Sequence, residues 1–241
     1  GETVLEIGPG LGFLTQALVQ KKCRVIAVET DPAFARFLRA EFPAASLQVI
    51  EKDVLELDLK KEIGPDRPLK VAGNIPYSIT SPILAWLIDQ REFVSEAVLT
   101  MQWEVAQRLQ ASPGSKTWGS LSIFVQRRTG VQILKKITKD KFFPAPKVDS
   151  AVVRLDFSNP PSFEQVDETL FADLIARAFQ KRRKTLANAL AQEGSLIFGK
   201  PELLKALAGL GIDPVRRPET LTISEWISLS RRLSLSGLRD S

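Results

Sequence analysis

The chain contains no histidine and a single cysteine, Cys23. Without histidine, general-base chemistry through imidazole and the usual zinc hydrolase sites are excluded. One cysteine excludes an internal disulfide and a cysteine-cluster metal site, and no metal is expected. A reducing compartment fits, cytoplasmic or organellar. No apolar run approaches membrane-spanning length and no signal-peptide pattern is present, so no membrane partner is expected. Internal repeats and long low-complexity tracts are also missing. What is present is a globular composition of 241 residues, 44% hydrophobic and 25% charged. That length can bury a full α/β core and a smaller appendage.

Strand and helix patterns alternate along the first two thirds. Thr3–Ile7, Arg24–Val28, Leu47–Ile50 and the run Leu69–Ala72 read as buried strands, with later strands at Ala97–Met101 and Ala151–Phe157. Helices are expected over Phe13–Val19 and Ser81–Ile88. The stretch Ala111–Gly119 (ASPGSKTWG) reads as a mobile loop near the substrate. Residues 1–157 are therefore expected to form one domain, and Ser158–Ser162 (SNPPS) a linker. Residues 163–241 read as helices, roughly Asp167–Phe179, Arg183–Gln192, Pro201–Leu210 and Ile223–Leu233, with Pro201 and Pro218 suited to helix starts.

Polar residues gather where the first four strands end. Gly8-Pro9-Gly10-Leu11-Gly12 joins a strand to a helix, where glycines let a ligand approach the backbone. Phe13 stands where the dinucleotide fingerprint needs its last glycine, so G-x-G-x-G points to a compact amino-acid or nucleoside group. A nicotinamide dehydrogenase is correspondingly disfavoured. Glu29 closes the second strand, placed to accept ribose hydroxyls. Asp53 follows the third, placed to accept from an adenine amino group. Each acid taken singly also suits a helix cap.

The fourth strand runs into Asn74-Ile75-Pro76-Tyr77. A planar exocyclic amine is a poor nucleophile, because its lone pair is delocalised into the ring. The Asn74 amide oxygen and the Ile75 carbonyl can accept its two hydrogens and draw the nitrogen toward tetrahedral geometry. Pro76 fixes its own φ and stiffens the turn, and Tyr77 offers a flat face to a base. The plain alternative is an Asn-Pro turn with a buried tyrosine.

These residues, in VLEIGPGLGFLT, VETD, EKD, GNIPYSITSPIL, FFPAPKVDSAVVRL and FQKRRKTLANAL, resemble the ribosomal RNA adenine dimethyltransferase family over nearly the whole chain. The resemblance implies a Rossmann-like S-adenosylmethionine methyltransferase sheet with a small C-terminal all-helical domain. It implies S-adenosyl-L-methionine as cofactor and adenosines near the 3′ end of small-subunit (16S) rRNA as substrate. The cofactor contacts it implies are Glu6, Gly8, Gly10, Glu29, Asp53, Val54 and Asn74. Asn74, Ile75, Pro76 and Tyr77 would be catalytic, together with Phe142, whose place in Phe-x-Pro-x-Pro-x-Val is that of an aromatic stacked on a flipped-out base. Phe143 is expected to be a hydrophobic plug.

Charge supports a polyanionic partner. Residues 1–126 carry 13 Lys+Arg against 15 Asp+Glu, a net of −2, and residues 127–241 carry 20 against 13, a net of +7. Lys181, Arg182, Arg183 and Lys184 read as RNA contacts, joined by Arg127-Arg128, Lys135-Lys136 and Arg216-Arg217, although a run like 181–184 also suits a solvated helix face. A monomer is expected. Two rivals stay open: a methyltransferase acting on large-subunit rRNA or DNA adenine, and an RNA-binding assembly or transcription factor on the same scaffold. Family members carry an upstream Gln-x-Phe-Leu segment that lies against the cofactor, whereas this sequence begins at Gly1. Weaker cofactor binding than in a form with that segment is therefore expected, checked by calorimetry on both.

Overall fold

The computed structural model describes residues 2–64, 68–181, 183–191 and 199–237. Two units divide the chain, Gly1–Gln110 with Arg128–Pro160 and Ala111–Arg127 with Pro161–Ser241.

The first unit is a seven-stranded sheet in the order β3-β2-β1-β4-β5-β7-β6. Its elements are β1 (Thr3–Ile7), α1 (Phe13–Gln20), β2 (Arg24–Glu29), α2 (Pro32–Glu41), β3 (Leu47–Glu51), α3 (Leu59–Glu62), β4 (Leu69–Asn74), α4 (Thr80–Asp89), β5 (Val94–Gln102), α5 (Trp103–Leu109), β6 (Gly130–Ile137) and β7 (Ser150–Asp156). Strands β1 to β5 run parallel, while β7 pairs antiparallel with β5 and with β6. Strands β1 and β2 are buried almost end to end, as strands covered on both faces are; in β2 every residue after Arg24 is buried. Strand order reverses between β1 and β4. Open α/β sheets bind ligands at such a point, at the carboxyl ends of the strands.

Strand β6 carries no clean alternation in its sequence, GVQILKKI, because its register with β7 shifts between Ile133 and Lys135. The irregularity leaves Leu134, Lys135 and Lys136 exposed in succession on the edge strand.

The second unit is helical: α6 (Ser120–Gln126), α7 (Glu168–Gln180), α8 (Leu186–Leu190), α9 (Lys200–Gly209) and α10 (Ile223–Gly237). It corrects the expected domain boundary. Residues 111–127 belong with the C-terminal helices rather than with the sheet. The reason is Trp118, expected in a mobile loop beside the substrate. Its side chain is 1% exposed, inside the core formed by Phe171, Leu174, Leu207 and Trp226. Its indole N–H donates to the Leu221 carbonyl at 3.2 Å, and the Gly114 N–H donates to the Glu219 carbonyl at 2.7 Å. No helix among the described residues is long and apolar enough to cross a membrane.

Candidate active site

Register places the candidate residues in one row. Ile7 lies opposite Val28 on one side and Gly73 on the other, Glu29 opposite Glu51, and Asn74 opposite Thr100. The glycine turn and Asn74 therefore leave adjacent strands at the point where the sheet reverses. A Cβ on Gly73 would lie 3.0 Å from the Ile7 carbonyl oxygen, so glycine permits the close pairing of these two strands.

The turn after β1 needs glycine for two different reasons. Gly8 and Gly10 take φ of +63° and +54°, the left-handed region that other residues avoid, and no atom lies within 4 Å of where their Cβ would stand. That open space is room for a ligand against the backbone. Gly12, at φ +78°, is instead crowded: its Cβ would come within 2.9 Å of Leu38 and Phe42 on the α2 side.

Two buried acids brace this turn. Glu29 is 6% exposed; its Oε2 accepts from the Gly10 N–H at 3.1 Å and its Oε1 from the Asp31 N–H at 2.9 Å. A carboxylate has about four acceptor positions, so lone pairs remain for a diol. Glu6 is 1% exposed, and its Oε2 accepts from the Thr15 hydroxyl at 2.6 Å, which ties β1 to α1. Burial raises the Glu6 carboxyl above its ordinary range, with the Thr15 hydrogen bonds partly opposing the rise. Folding thus increases its affinity for a proton. The destabilising contribution of its charge is absent below the ordinary glutamate range and complete above the raised value. Thr15, and the bracing of Gly10 by Glu29, were missed in the sequence, where nothing marks them.

Asp53 does act as a cap: its Oδ1 accepts from the Leu55 N–H at 2.9 Å at the start of a single 3-10 turn, Val54–Glu56. The Asp53 residue is exposed, whereas the Val54 side chain is 4% exposed and offers a ligand only its backbone.

The Asn74 turn is built from contrasting exposures. Asn74 and Pro76 are exposed, Tyr77 is half-buried and Ile75 is 2% exposed. The buried Ile75 side chain anchors the turn. Neither the Asn74 amide nor the Ile75 carbonyl has a hydrogen-bond partner among the described residues. Pro76 sits at φ −58° and ψ 136°. The Tyr77 hydroxyl lies 2.5 Å from the Ser150 hydroxyl, and Thr80 donates to the Tyr77 carbonyl at 3.2 Å. Ser150, fully buried at the head of β7, was missed in the sequence. Its signal was a polar residue opening an apolar strand, in KVDSAVV.

Phe142 is half-buried and follows a 3-10 turn, Lys139–Lys141, in the same unit. Phe143 is not a plug: its side chain is fully exposed, at 102%.

The basic residues divide. Lys181, Arg183 and Lys184 are exposed between α7 and α8 and form no ion pair among the described residues, and Arg182 lies outside the described residues. Arg127 is a correction. It is 8% exposed, its two terminal nitrogens donate to both carboxylate oxygens of Glu168 at 2.8 and 2.9 Å, and its guanidinium lies 4.4 Å from the centre of the Phe171 ring. That side chain is structural. Arg128 is half-buried. Arg216 is likewise engaged, by Glu225 at 2.5 Å and the Thr220 carbonyl at 2.8 Å. Lys136 pairs with Asp149 at 2.9 Å and lies over Trp103, while Lys135 is exposed.

Comparison with known proteins agrees with this arrangement. The ribosomal RNA adenine dimethylase family model matches residues 1–234. A protein named ribosomal RNA small subunit methyltransferase A from Alkaliphilus oremlandii is 42% identical over 97% of this chain and 83% of its own length. Its namesake from Moorella thermoacetica is 41% identical over 97% of this chain and 83% of its own length. Among solved structures, a dimethyladenosine transferase from Plasmodium falciparum superposes with a TM-score of 0.78 at 26% identity, covering 98% of this chain and 91% of that one. The 23S rRNA methyltransferase ErmE gives 0.69 at 25% identity, over 97% and 91%. With a match across both units and a sheet built like those neighbours, this chain belongs to the ribosomal RNA adenine dimethylase family.

Proposed function

We propose that this protein dimethylates the exocyclic amino group of adenosines near the 3′ end of small-subunit rRNA, with S-adenosylmethionine as methyl donor, during ribosome biogenesis. The observation that carries this reading is the Asn74 turn: a side-chain amide and a backbone carbonyl without hydrogen-bond partners among the described residues, side by side at the reversal point and one strand from the glycine turn.

The residues present fit the cofactor. The space over Gly8 and Gly10 admits a methionine group, Glu29 keeps acceptor positions for a ribose, and Asp53 presents an oxygen toward an adenine. When bound, the cofactor supplies an electrophilic methyl group. The chain supplies position. An adenine must leave its stack to enter such a site. Tyr77 and Phe142 hold it by stacking, and a base–aromatic stack is generally worth about 1–3 kcal/mol. The Asn74 amide oxygen and the Ile75 carbonyl accept the two amino hydrogens, which directs the nitrogen lone pair out of the ring plane, so catalysis is positioning and electrostatics. No strong base is needed, since a methylated ammonium sheds its proton readily, and no metal has a role. A second transfer follows from the same grip: the monomethylated nitrogen still offers one N–H to one acceptor. Exposed cations at Lys181, Arg183 and Lys184 serve the RNA backbone. The protein would act as a monomer in the cytoplasm or an organelle.

The test is methyl transfer from labelled S-adenosylmethionine to undermethylated small ribosomal subunits, with Asn74→Ala alongside. The expected result is dimethyladenosine from the parent and at least a ~100-fold loss in the variant, the scale seen when a group that stabilises a transition state is removed. Absence of transfer by the parent, with salt-sensitive binding to the particle, would replace this reading with that of an RNA-binding assembly factor.

A further inference from the structure

Phe143 is the most exposed large apolar side chain among the described residues, at 102%. Its predecessor, Phe142, has extended backbone (φ −114°, ψ 149°) and a half-buried ring. The chain bends at both residues, and the two rings differ in exposure, Phe142 half-buried and Phe143 bare.

The surrounding loop is basic. From Lys135 to Asp149 there are five lysines against two aspartates, a net of +3. Lys136 and Lys141 are held by Asp149 at 2.9 Å and Asp140 at 3.3 Å. Lys135 and Lys147 are exposed and have no carboxylate at ion-pair distance among the described residues.

We propose that Phe143 is a second stacking platform, which holds the base next to the target adenosine while Lys135 and Lys147 hold the adjoining phosphates. The inference rests on the adenosine reading above and adds the contact to the neighbouring nucleotide. Three observations favour a single RNA strand as the occupant. An exposed aromatic with exposed lysines before and after it in the chain, Lys135 and Lys147, suits a base with its adjoining phosphates. Apolar exposure here is dominated by one ring, Phe143 at 102% against Leu134 at 48% and Val148 at 45%, and lysines separate the three along the chain. Adjacent rings of unequal exposure also match a strand whose target base is turned out of its stack: half-buried Phe142 takes the turned base and exposed Phe143 one that is not turned.

The test uses short single-stranded RNAs with one adenosine and 2-aminopurine on its 5′ or 3′ side, bound to the full chain without cofactor at low salt. Stacking quenches 2-aminopurine. The expected result is quenching at one of the two positions by the parent and by Phe143→Trp. In Phe143→Ala that quench should disappear and affinity should fall ~10-fold, within the range of one base stack. Because the ring touches solvent only, Phe143→Ala should melt at the parent's temperature. A quench and affinity unchanged in Phe143→Ala would overturn the platform, as would a quench lost only in Phe142→Ala. Binding is read here without methyl transfer. Quenching by a parent that transfers no methyl group would therefore keep the platform while removing the adenosine reading.

Discussion

At the scale of single residues, the orientation of Tyr77 depends on a hydroxyl 73 positions away. The Tyr77–Ser150 contact, at 2.5 Å, links the Asn74 turn to β7, the strand that follows the Phe142 loop. Tyr77 is thus braced on the strand into which the Phe142 loop leads. Ser150→Ala should lower kcat about 3- to 10-fold with less effect on KM, because it loosens the stacked geometry without removing a group that touches substrate. The lost hydrogen bond should also cost about 1 kcal/mol of stability. Ser150→Thr, which keeps the hydroxyl, should restore kcat. Tyr77 is the only tyrosine in the chain, so NMR of ring-labelled tyrosine reports its packing alone, and that signal should move in Ser150→Ala. Unchanged ring signals with unchanged kcat would reduce Ser150 to an ordinary strand residue.

At the scale of elements, capping is local chemistry and packing is not. Asp31 caps α2 through the Ala33 N–H at 2.7 Å, with Pro32 as the first helical residue, and Asp167 caps α7 through two backbone N–H groups. Both follow from residues within three positions. Arg127 shows the opposite case. It stands at the C-terminal end of α6 and Glu168 at the first turn of α7, so each charge also opposes the dipole of its own helix end. The pair spans 41 positions and holds the 111–127 segment to the helical unit. Arg127→Ala removes two charge-assisted hydrogen bonds and a cation–π contact, and should destabilise the protein by about 2–4 kcal/mol. Arg127→Lys should recover only part of this, since lysine lacks the two-pronged geometry. Thermal unfolding of the three proteins checks both statements, and RNA affinity should be unaltered in the folded variants.

At the scale of the whole molecule, net charge identified the class of partner but not the surface that meets it. The half from residue 127 onward carries the excess of +7; Arg127 and Arg216, paired with Glu168 and Glu225 of the same half, cancel within it and supply none of that excess. Among the described residues, Lys181, Arg183, Lys184, Lys135 and Lys147 are exposed cations without an ion-pair partner, and these a polyanion can reach. Replacing Lys181, Arg183 and Lys184 together by alanine should weaken binding to the small subunit. The slope of log affinity against log salt should flatten by up to roughly 0.7–0.9 for each phosphate that is no longer neutralised. An unchanged slope would make those residues ordinary surface.

Most of the sheet and the row of candidate residues along its carboxyl edge could be read from sequence. Their signals are local: apolar runs of strand length, glycines at a strand-to-helix turn, and acids and Asn74 immediately after strands. Strand β6 was not read as a strand, because its register shift breaks the alternation that marks a half-buried strand. Sequence by itself determined the order of strands β1 to β5 and β7, the edge on which the Gly8, Glu29, Asp53 and Asn74 positions fall, and the family's chemistry. Only tertiary structure decided that Trp118 lies in the helical core, that Arg127 is bound to Glu168, that Ser150 meets Tyr77, and that Phe143 stands free. The physical reason is separation along the chain. A residue's type and its near neighbours set its local conformation, but burial and hydrogen-bond partnership depend on residues tens of positions away, which local periodicity does not encode.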